Sequence, residues 1–152
     1  MINTTNLEKH TTQNPISRFF LNNFTSLLLE QIKKLRSESI LDVGAGEGFM
    51  LEMLRKNNVG KKLEGIEYMD EALQFARELH PKVTIKKGNI YDLPYTDNSF
   101  DIIICTEVLE HLDDPEKALL ELKRVTKKYL ILSVPNEPFF TIQRFCRGKN
   151  ML

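Results

Sequence analysis

The sequence predicts an α/β protein in which five strands form a doubly wound, mainly parallel sheet between two layers of helices. Three observations predict this fold. Five short apolar segments alternate with segments of helical periodicity, which is the order of βαβ units. The fourth apolar segment, FDIIICT, is typical of a central strand that is buried on both faces. Glycine and polar residues follow the strands directly, and open parallel sheets bind ligands at that edge.

The composition favours a single soluble domain. The 152 residues are enough to bury a sizeable core, and 21 Lys and Arg residues balance 21 Asp and Glu residues. No overall charge therefore favours nucleic acid or a membrane surface, and no apolar run approaches the ~20 residues that cross a bilayer. Two cysteines, Cys105 and Cys146, are too few for a disulfide framework and lack zinc spacing. We predict a cytoplasmic protein with reduced thiols and no bound metal.

The elements follow from local patterns. Residues 1–14 are polar and are predicted to be a flexible segment, and residues 15–152 a single domain. With Asn14 as the cap, a helix is predicted from Pro15 to Leu35, with one apolar stripe facing the core. The stripe consists of Ile16, Phe19, Phe20, Phe24, Leu27, Leu28, Ile32 and Leu35.

Strands and helices then alternate. Helices are predicted at residues 49–56, 70–79 and 115–125, with Pro81 just beyond the second and Asp114 capping the third. A further short helix is predicted at residues 138–147. The predicted strands are residues 39–43, 62–68, 83–87, 100–106 and 129–134.

The first strand leads into a glycine loop, in the segment ILDVGAGEG at residues 40–48. Its G-x-G-x-G spacing differs from the dinucleotide fingerprint G-x-G-x-x-G, and the phosphate-loop motif G-K-[ST] is absent. Asp42 and Glu47 would repel a phosphate, whereas they suit a ligand with positive groups. S-adenosylmethionine carries an ammonium and a sulfonium group and no phosphate. Taken alone, the loop could also be a turn that uses glycine only for its geometry.

Two later strand ends carry residues that suit a nucleoside. Glu67, at the end of the second strand, can accept hydrogen bonds from both hydroxyls of a ribose. Its alternative role is that of a solvated charge at a strand end. Asn89 and Ile90 follow the third strand, where an amide and an apolar side chain could hold an adenine. From its chemistry alone, Asn89 could equally be an ordinary turn residue.

Together these motifs resemble the class I S-adenosylmethionine-dependent methyltransferases of the small "type 11" kind. The resemblance covers residues 37–138 and also rests on GIEYMDEAL, GNIYDLPYTDNSFDIIICTEVLEHLDDPEKALLELKRV and YLILSVPNEP. It implies a three-layer Rossmann-like fold, S-adenosylmethionine as cofactor, S-adenosylhomocysteine as product and a small-molecule acceptor. Asn89 stands where the family usually has an aspartate. The resemblance assigns cofactor binding to Asp42, Gly44, Ala45, Gly46, Glu67, Tyr68, Asn89, Ile90, Cys105 and Thr106.

The catalytic group is less defined by the sequence than the cofactor site. Methyl transfer depends mainly on in-line positioning, and a general base is needed only when the acceptor must lose a proton. His111, in EVLEHL, is the best candidate for that base, although a structural role at the start of a helix is at least as probable.

The family fold continues after its fifth strand with a helix and two strands, which we expect to be missing here. The fifth strand would then be an exposed edge that a second copy or another partner could cover. Two other functions stay open. One is a cofactor-binding module without independent catalysis. The other is a nicotinamide dehydrogenase, which the loop spacing and Asp42 disfavour.

Overall fold

The computed structural model describes residues 13–133. Most of the predicted flexible segment, the predicted helix at residues 138–147 and Cys146 lie outside this range. The chain divides into two compact units, and the one that carries the sheet spans Ile32–Val134. Residues 13–31 belong to the other unit.

The sheet contains five parallel strands, as the sequence predicts. Their order across the sheet is β3-β2-β1-β4-β5, so the direction of winding reverses between β1 and β4. The carboxyl ends of these two strands form the switch point at which such sheets bind ligands. The strands are β1 (Ser39–Val43), β2 (Lys62–Glu67), β3 (Thr84–Lys87), β4 (Phe100–Thr106) and β5 (Thr126–Ser133).

Helices connect the strands, and four of them have predicted counterparts. They are α1 (Pro15–Leu35), α2 (Phe49–Lys56), α3 (Asp70–Leu79) and α4 (Pro115–Val125). A short 3-10 helix, Leu109–His111, precedes α4 and was not predicted. The predicted cap of α4 is confirmed, because Asp114 Oδ1 accepts a hydrogen bond from the Lys117 N–H at 3.0 Å.

Helices cover both faces of the sheet. Gly65 of β2 faces α2, since a Cβ at this position would lie 2.8 Å from Leu51 Cδ1. The next residue, Ile66, belongs to a buried cluster that contains Leu122 of α4. Neighbouring residues of a strand point to opposite faces, so α2 and α4 lie on opposite sides. This arrangement confirms the predicted three-layer architecture.

Helix α1 begins and ends as predicted, but its apolar stripe does not face the core along its whole length. Asn14 Oδ1 caps the helix by accepting the N–H groups of Ile16 and Ser17, at 2.9 and 3.2 Å. Ile32 is buried, yet at 100° per residue it lies about 160° around the helix from Ile16. The prediction of a core-facing position is wrong for Ile16, Phe19, Phe24 and Leu27, which are 39–61% exposed.

Strand β5 begins at Thr126, three residues before its predicted start at residue 129. Thr126 pairs with Phe100 of β4 although its neighbours are polar, because the pairing is made by the backbone. Within residues 13–133, no strand pairs with the outer edge of β5. Its side chains Tyr129 and Leu132 are 43% and 40% exposed. None of the helices between residues 13 and 133 is long and apolar enough to cross a bilayer.

Candidate functional site

The loop after β1 turns back over the end of β2. The N–H groups of Gly44 and Ala45 both donate to the carbonyl oxygen of Ile66, at 2.8 and 3.0 Å. Gly44 has a φ of 79°, and a Cβ there would overlap the Val108 side chain. A larger residue at this position would therefore be strained and would displace Val108. The contact with Val108 could not be anticipated, because nothing in the sequence connects the two positions.

The third glycine of the loop has a different role. Gly48 has a φ of 84°, and a Cβ on it would lie 2.8 Å from Ile85 Cδ1. It therefore allows the start of α2 to approach the β3 region closely. Two glycines of the same sequence motif thus have different roles. Gly44 allows the left-handed turn of the loop, and Gly48 allows the loop to pack against β3.

Glu67 joins the ends of β1 and β2. Its buried carboxylate accepts the Gly46 N–H through Oε2 at 2.8 Å. Oε1 accepts the N–H groups of Tyr68 and Met69, also at 2.8 Å. A carboxylate has about four acceptor positions, so three of them are used and capacity remains for a ligand hydroxyl. The structure places Glu67 beside the loop and gives it a scaffolding role that sequence reasoning missed.

Asp42 places a second carboxyl group beside Glu67. Its side chain is 2% exposed, and burial together with the negative charge of Glu67 raises its pKa to about 7. Burial thus disfavours the ionised form of Asp42, and a nearby positive charge would favour it. Glu47, the other acidic residue of the loop, is also fully buried.

The end of β3 meets the same site. The Gly88 N–H donates to the carbonyl oxygen of Glu67 at 3.0 Å. Asn89 is exposed and forms a turn in which its Oδ1 accepts the Tyr91 N–H at 3.0 Å. Ile90 is 9% exposed and belongs to the core. The Asn89 side chain therefore stabilises this turn, and it is also the predicted contact to the adenine base.

The end of β4 lies next to β1. Cys105 is fully buried, and its pKa is raised to about 12 by burial and by the charges of Asp42 and Glu110. It therefore stays a neutral thiol. After Thr106, Glu107 adopts a left-handed φ of 60°, and its N–H donates to the Ser133 carbonyl oxygen at 3.1 Å. Strained positions of this kind concentrate at functional sites, and periodicity does not reveal them.

Comparison with known families agrees with this arrangement. The family model described as "Methyltransferase domain" matches residues 41–132, which run from β1 to β5. The chain belongs to the methyltransferase family. In this methyltransferase-family chain, the matched range includes the carboxyl ends of β1, β2, β3 and β4.

Several proteins that this chain resembles are named as methyltransferases, and they are longer than this chain. An uncharacterized methyltransferase of Schizosaccharomyces pombe is 40% identical over 114 residues, which are 68% of this chain and 40% of that protein. A mitochondrial ubiquinone biosynthesis O-methyltransferase of Candida albicans is 34% identical over 72% of this chain and 36% of that protein. The crystal structure of a SAM-dependent methyltransferase from Aquifex aeolicus has a TM-score of 0.58 and 32% identity over 68% of this chain and 61% of that one. The chain thus spans about two fifths of the curated relatives it matches.

Besides Asn89, two predicted site residues of the methyltransferase-family chain are exposed. Tyr68 is 69% exposed, and only its backbone N–H is held, by Glu67. The His111 side chain is 77% exposed, and its Nε2 lies 4.0 Å from Glu110 Oε1. Its backbone N–H donates to the Val108 carbonyl oxygen at 2.9 Å, which places it at the end of the 3-10 helix. The catalytic role of His111 stays a prediction.

Two further observations concern metal binding and a second cleft. Among residues 13–133, no group of His, Cys, Asp and Glu side chains is arranged to hold a metal ion. A surface cleft of about 480 Å³ lies near the amino ends of the strands, opposite the candidate site. It is between the ends of α1 and α2 and the starts of β1 and β2. Its lining includes Lys33, Arg36, Glu38 and Lys61 and none of the predicted site residues.

Proposed function

We propose that this chain binds S-adenosylmethionine at the switch point between β1 and β4 and belongs to an enzyme that methylates a small molecule. One observation carries the proposal. Two buried carboxyl groups, Asp42 and Glu67, lie beside a loop of left-handed glycines at the end of β1. Such a site suits a ligand with positive charge and hydroxyl groups, and it disfavours the pyrophosphate of a nicotinamide cofactor.

Different residues of the site would bind different parts of the cofactor. Asp42 would balance the positive charge at the methionine end, and Gly44, Ala45 and Gly46 would let it approach the backbone. Glu67 would use its remaining acceptor position for a ribose hydroxyl. The backbone of Cys105 and Thr106 would border the methionine end. A Cβ would fit at neither Gly44 nor Gly48, so the loop depends on glycine at both positions.

The base would lie beyond Glu67. Asn89 presents an amide, which can both donate and accept and so matches the donor and acceptor edge of adenine. Ile90 offers an apolar neighbour, and Tyr68 has an exposed ring next to Glu67 that can cover the ligand. These assignments place one contact at the end of each of the first three strands.

The bound cofactor supplies a sulfonium-activated methyl group, and the chain has to position and desolvate it. Val108, beside Gly44, adds an apolar side chain at this end of the site. His111 would accept a proton from an acceptor that has one to lose. We expect His111→Gln to remove the lower-pH limb of a rate profile, while Asn substitution of the exposed Asp113 leaves it unchanged. An unchanged profile in His111→Gln would reduce His111 to a structural residue.

Partner and location also stay within this proposal. We propose that the outer edge of β5 is covered by a second copy or another polypeptide, because Tyr129 and Leu132 are exposed on an unpaired strand of the described sheet. Light scattering on the purified chain separates a dimer from a monomer that needs another partner. A cytoplasmic location remains a prediction.

A second function has its own support. The chain covers only 40% and 36% of two relatives' lengths, which favours a cofactor-binding module whose acceptor site lies in further polypeptide. Transfer of a labelled methyl group to candidate acceptors distinguishes an enzyme from such a module. Turnover by the 152-residue chain supports the first function, and binding without turnover supports the second.

Calorimetric titration tests the cofactor assignment directly. We expect S-adenosylmethionine and S-adenosylhomocysteine to bind and NAD not to bind. Glu67→Ala should weaken both ligands by about tenfold or more, because hydrogen bonds to a charged group are lost. Glu78→Ala, at an exposed position of α3, is the matched control and should leave both affinities unchanged. Binding of NAD alone would refute the proposal.

A further inference from the structure

A single arginine of α4 holds the loop between β3 and β4. Arg124 Nε and Nη2 donate to the two carboxylate oxygens of Glu121, at 2.8 and 2.6 Å. Nη2 also donates to the Leu93 carbonyl oxygen at 3.1 Å. Nη1 donates to the Tyr95 carbonyl oxygen at 2.7 Å and to Asp97 Oδ1 at 3.0 Å. All five N–H groups of the guanidinium are therefore directed at partners, an arrangement that lysine cannot reproduce.

Glu121 completes the attachment. Its Oε1 accepts the Leu93 N–H at 2.7 Å, so the Glu121–Arg124 pair holds both the N–H and the carbonyl of one loop residue. The hydrogen bond from Arg124 lowers the pKa of Glu121, so the pair stays charged across neutral pH. Leu93 is 3% exposed, which fixes its side chain as well as its backbone.

The residue held in this way directly follows the turn that presents Asn89. Asn89 and Asp92 form an isolated antiparallel bridge, and the Asp92 N–H donates to the Asn89 carbonyl oxygen at 3.1 Å. The turn has a second anchor, because the Asp114 N–H donates to the Tyr91 hydroxyl at 3.1 Å. Both ends of α4 therefore fix the turn, Asp114 at its start and Arg124 in its last turn.

The turn also fixes the orientation of the Asn89 amide. Only an acceptor can face the Tyr91 N–H, so this contact decides which end of the amide is the oxygen. Asn89 then presents donors and acceptors in a set arrangement. Oδ1 keeps a second lone pair beside the Tyr91 N–H, and this lone pair can accept from an amino group at C6 of a base but cannot pair with a carbonyl group there.

We propose that Arg124, together with Glu121, is a positioning residue that orients Asn89 and thereby sets the preference for adenine over hypoxanthine in the bound cofactor. This inference rests on the proposed binding of S-adenosylmethionine. Arg124 itself does not contact the base; it acts through Leu93 and the turn at residues 89–92.

The test compares two ligands that differ only at C6 of the base, S-adenosylhomocysteine and S-inosylhomocysteine. Calorimetric titration of the 152-residue chain should show tighter binding of the adenine ligand by about tenfold, the effect of one mismatched hydrogen-bond partner. Arg124→Lys should reduce that ratio to about twofold, because a lysine keeps the charge but loses the five-point attachment.

A matched control exists within the chain. Arg55 forms the same two-point contact with Glu52, three residues earlier on α2, at 2.7 and 2.9 Å. Arg55→Lys should leave the ligand ratio unchanged. If Arg124→Lys does not fold, Glu121→Gln gives the same test, since it keeps an oxygen for the Leu93 N–H and removes the charge.

The possible outcomes distinguish failure of the Arg124 inference from failure of the proposed function. An unchanged ratio in Arg124→Lys or Glu121→Gln, even with a lower melting temperature, would make the pair purely structural and overturn the inference. Equal binding of both ligands by the unaltered chain would overturn it as well. If the unaltered chain binds neither ligand, the proposed function fails and the inference fails with it.

Discussion

Replacement of Asp42 by asparagine should stabilise the chain in a pH-dependent manner. Burial and the charge of Glu67 raise the Asp42 pKa from 3.8 to about 7 in the folded chain. Between these values the folded chain binds more protons than the unfolded chain, so the free energy of unfolding falls as the pH rises. The shift corresponds to roughly 4 kcal/mol, reached above about pH 8 and absent near pH 4.

This magnitude is a large part of the stability of a domain, which is typically about 5–15 kcal/mol. Asp42→Asn has nearly the same shape and cannot ionise, so it should be more stable than the unaltered chain at pH 8. The two proteins should have similar stability near pH 4, where Asp42 is protonated. Because the variant lacks the negative charge, we also expect it to bind S-adenosylmethionine more weakly, which would make Asp42 a residue retained for function at the expense of stability.

Urea denaturation at pH 5, 6, 7 and 8 without cofactor measures the difference. Asp113→Asn, at an exposed position, is the control and should show no pH-dependent difference. A stability difference between Asp42→Asn and the unaltered chain that does not change with pH would contradict a raised Asp42 pKa. Greater stability of the unaltered chain at pH 8 would contradict it as well.

Three further predictions follow from single contacts. Gly44→Ala should cost about 1–3 kcal/mol of unfolding free energy, since the residue is left-handed and its Cβ meets Val108; Val108→Ala in the same chain should restore part of the loss in urea denaturation. Asp101 has its pKa lowered to about 2, chiefly by the hydrogen bond from Lys128, so its contribution is present above pH 3.8 and is lost as the pH falls towards 2. Asp101→Asn should therefore cost about 2 kcal/mol at pH 7 and little at pH 2, and an equal cost at both pH values would contradict this. Cys105, buried and with its pKa raised to about 12, should resist iodoacetamide at pH 8 until urea unfolds the chain, as peptide mapping can show; rapid labelling of the folded chain would be inconsistent with its burial.

Most of the secondary structure was predictable from the sequence because its signals are local. The bounds of β1, α2, α3, β4 and α4 agree with the structure, since apolar runs, helical periodicity and capping residues all act within a few positions. Strand β5 was predicted to start too late, because side-chain patterns do not report backbone pairing with Phe100. Helix α1 had the right length, but its apolar residues drift around the axis, so not all of them face the core.

The candidate site was predictable in position and not in its contacts. Parallel strands bring their carboxyl ends to one edge, so Asp42, Glu67 and Asn89 could be assigned to that edge from their places after strands. That Glu67 holds the Gly46 N–H, and that Asn89 orients its own turn, depends on atoms that only the folded chain brings together.

By itself, the sequence determined the order of strands and helices, the glycine loop and the residue types at the edge of the sheet. Periodicity and residue chemistry are local properties of the sequence, and they do not depend on the folded structure. Only the tertiary structure decided that Val108 covers Gly44 and that Asp42 is buried near Glu67. It also decided that Arg124 donates a hydrogen bond to the Leu93 carbonyl oxygen. Each of these contacts joins positions far apart in the chain, where desolvation and hydrogen-bond geometry depend on how the elements pack.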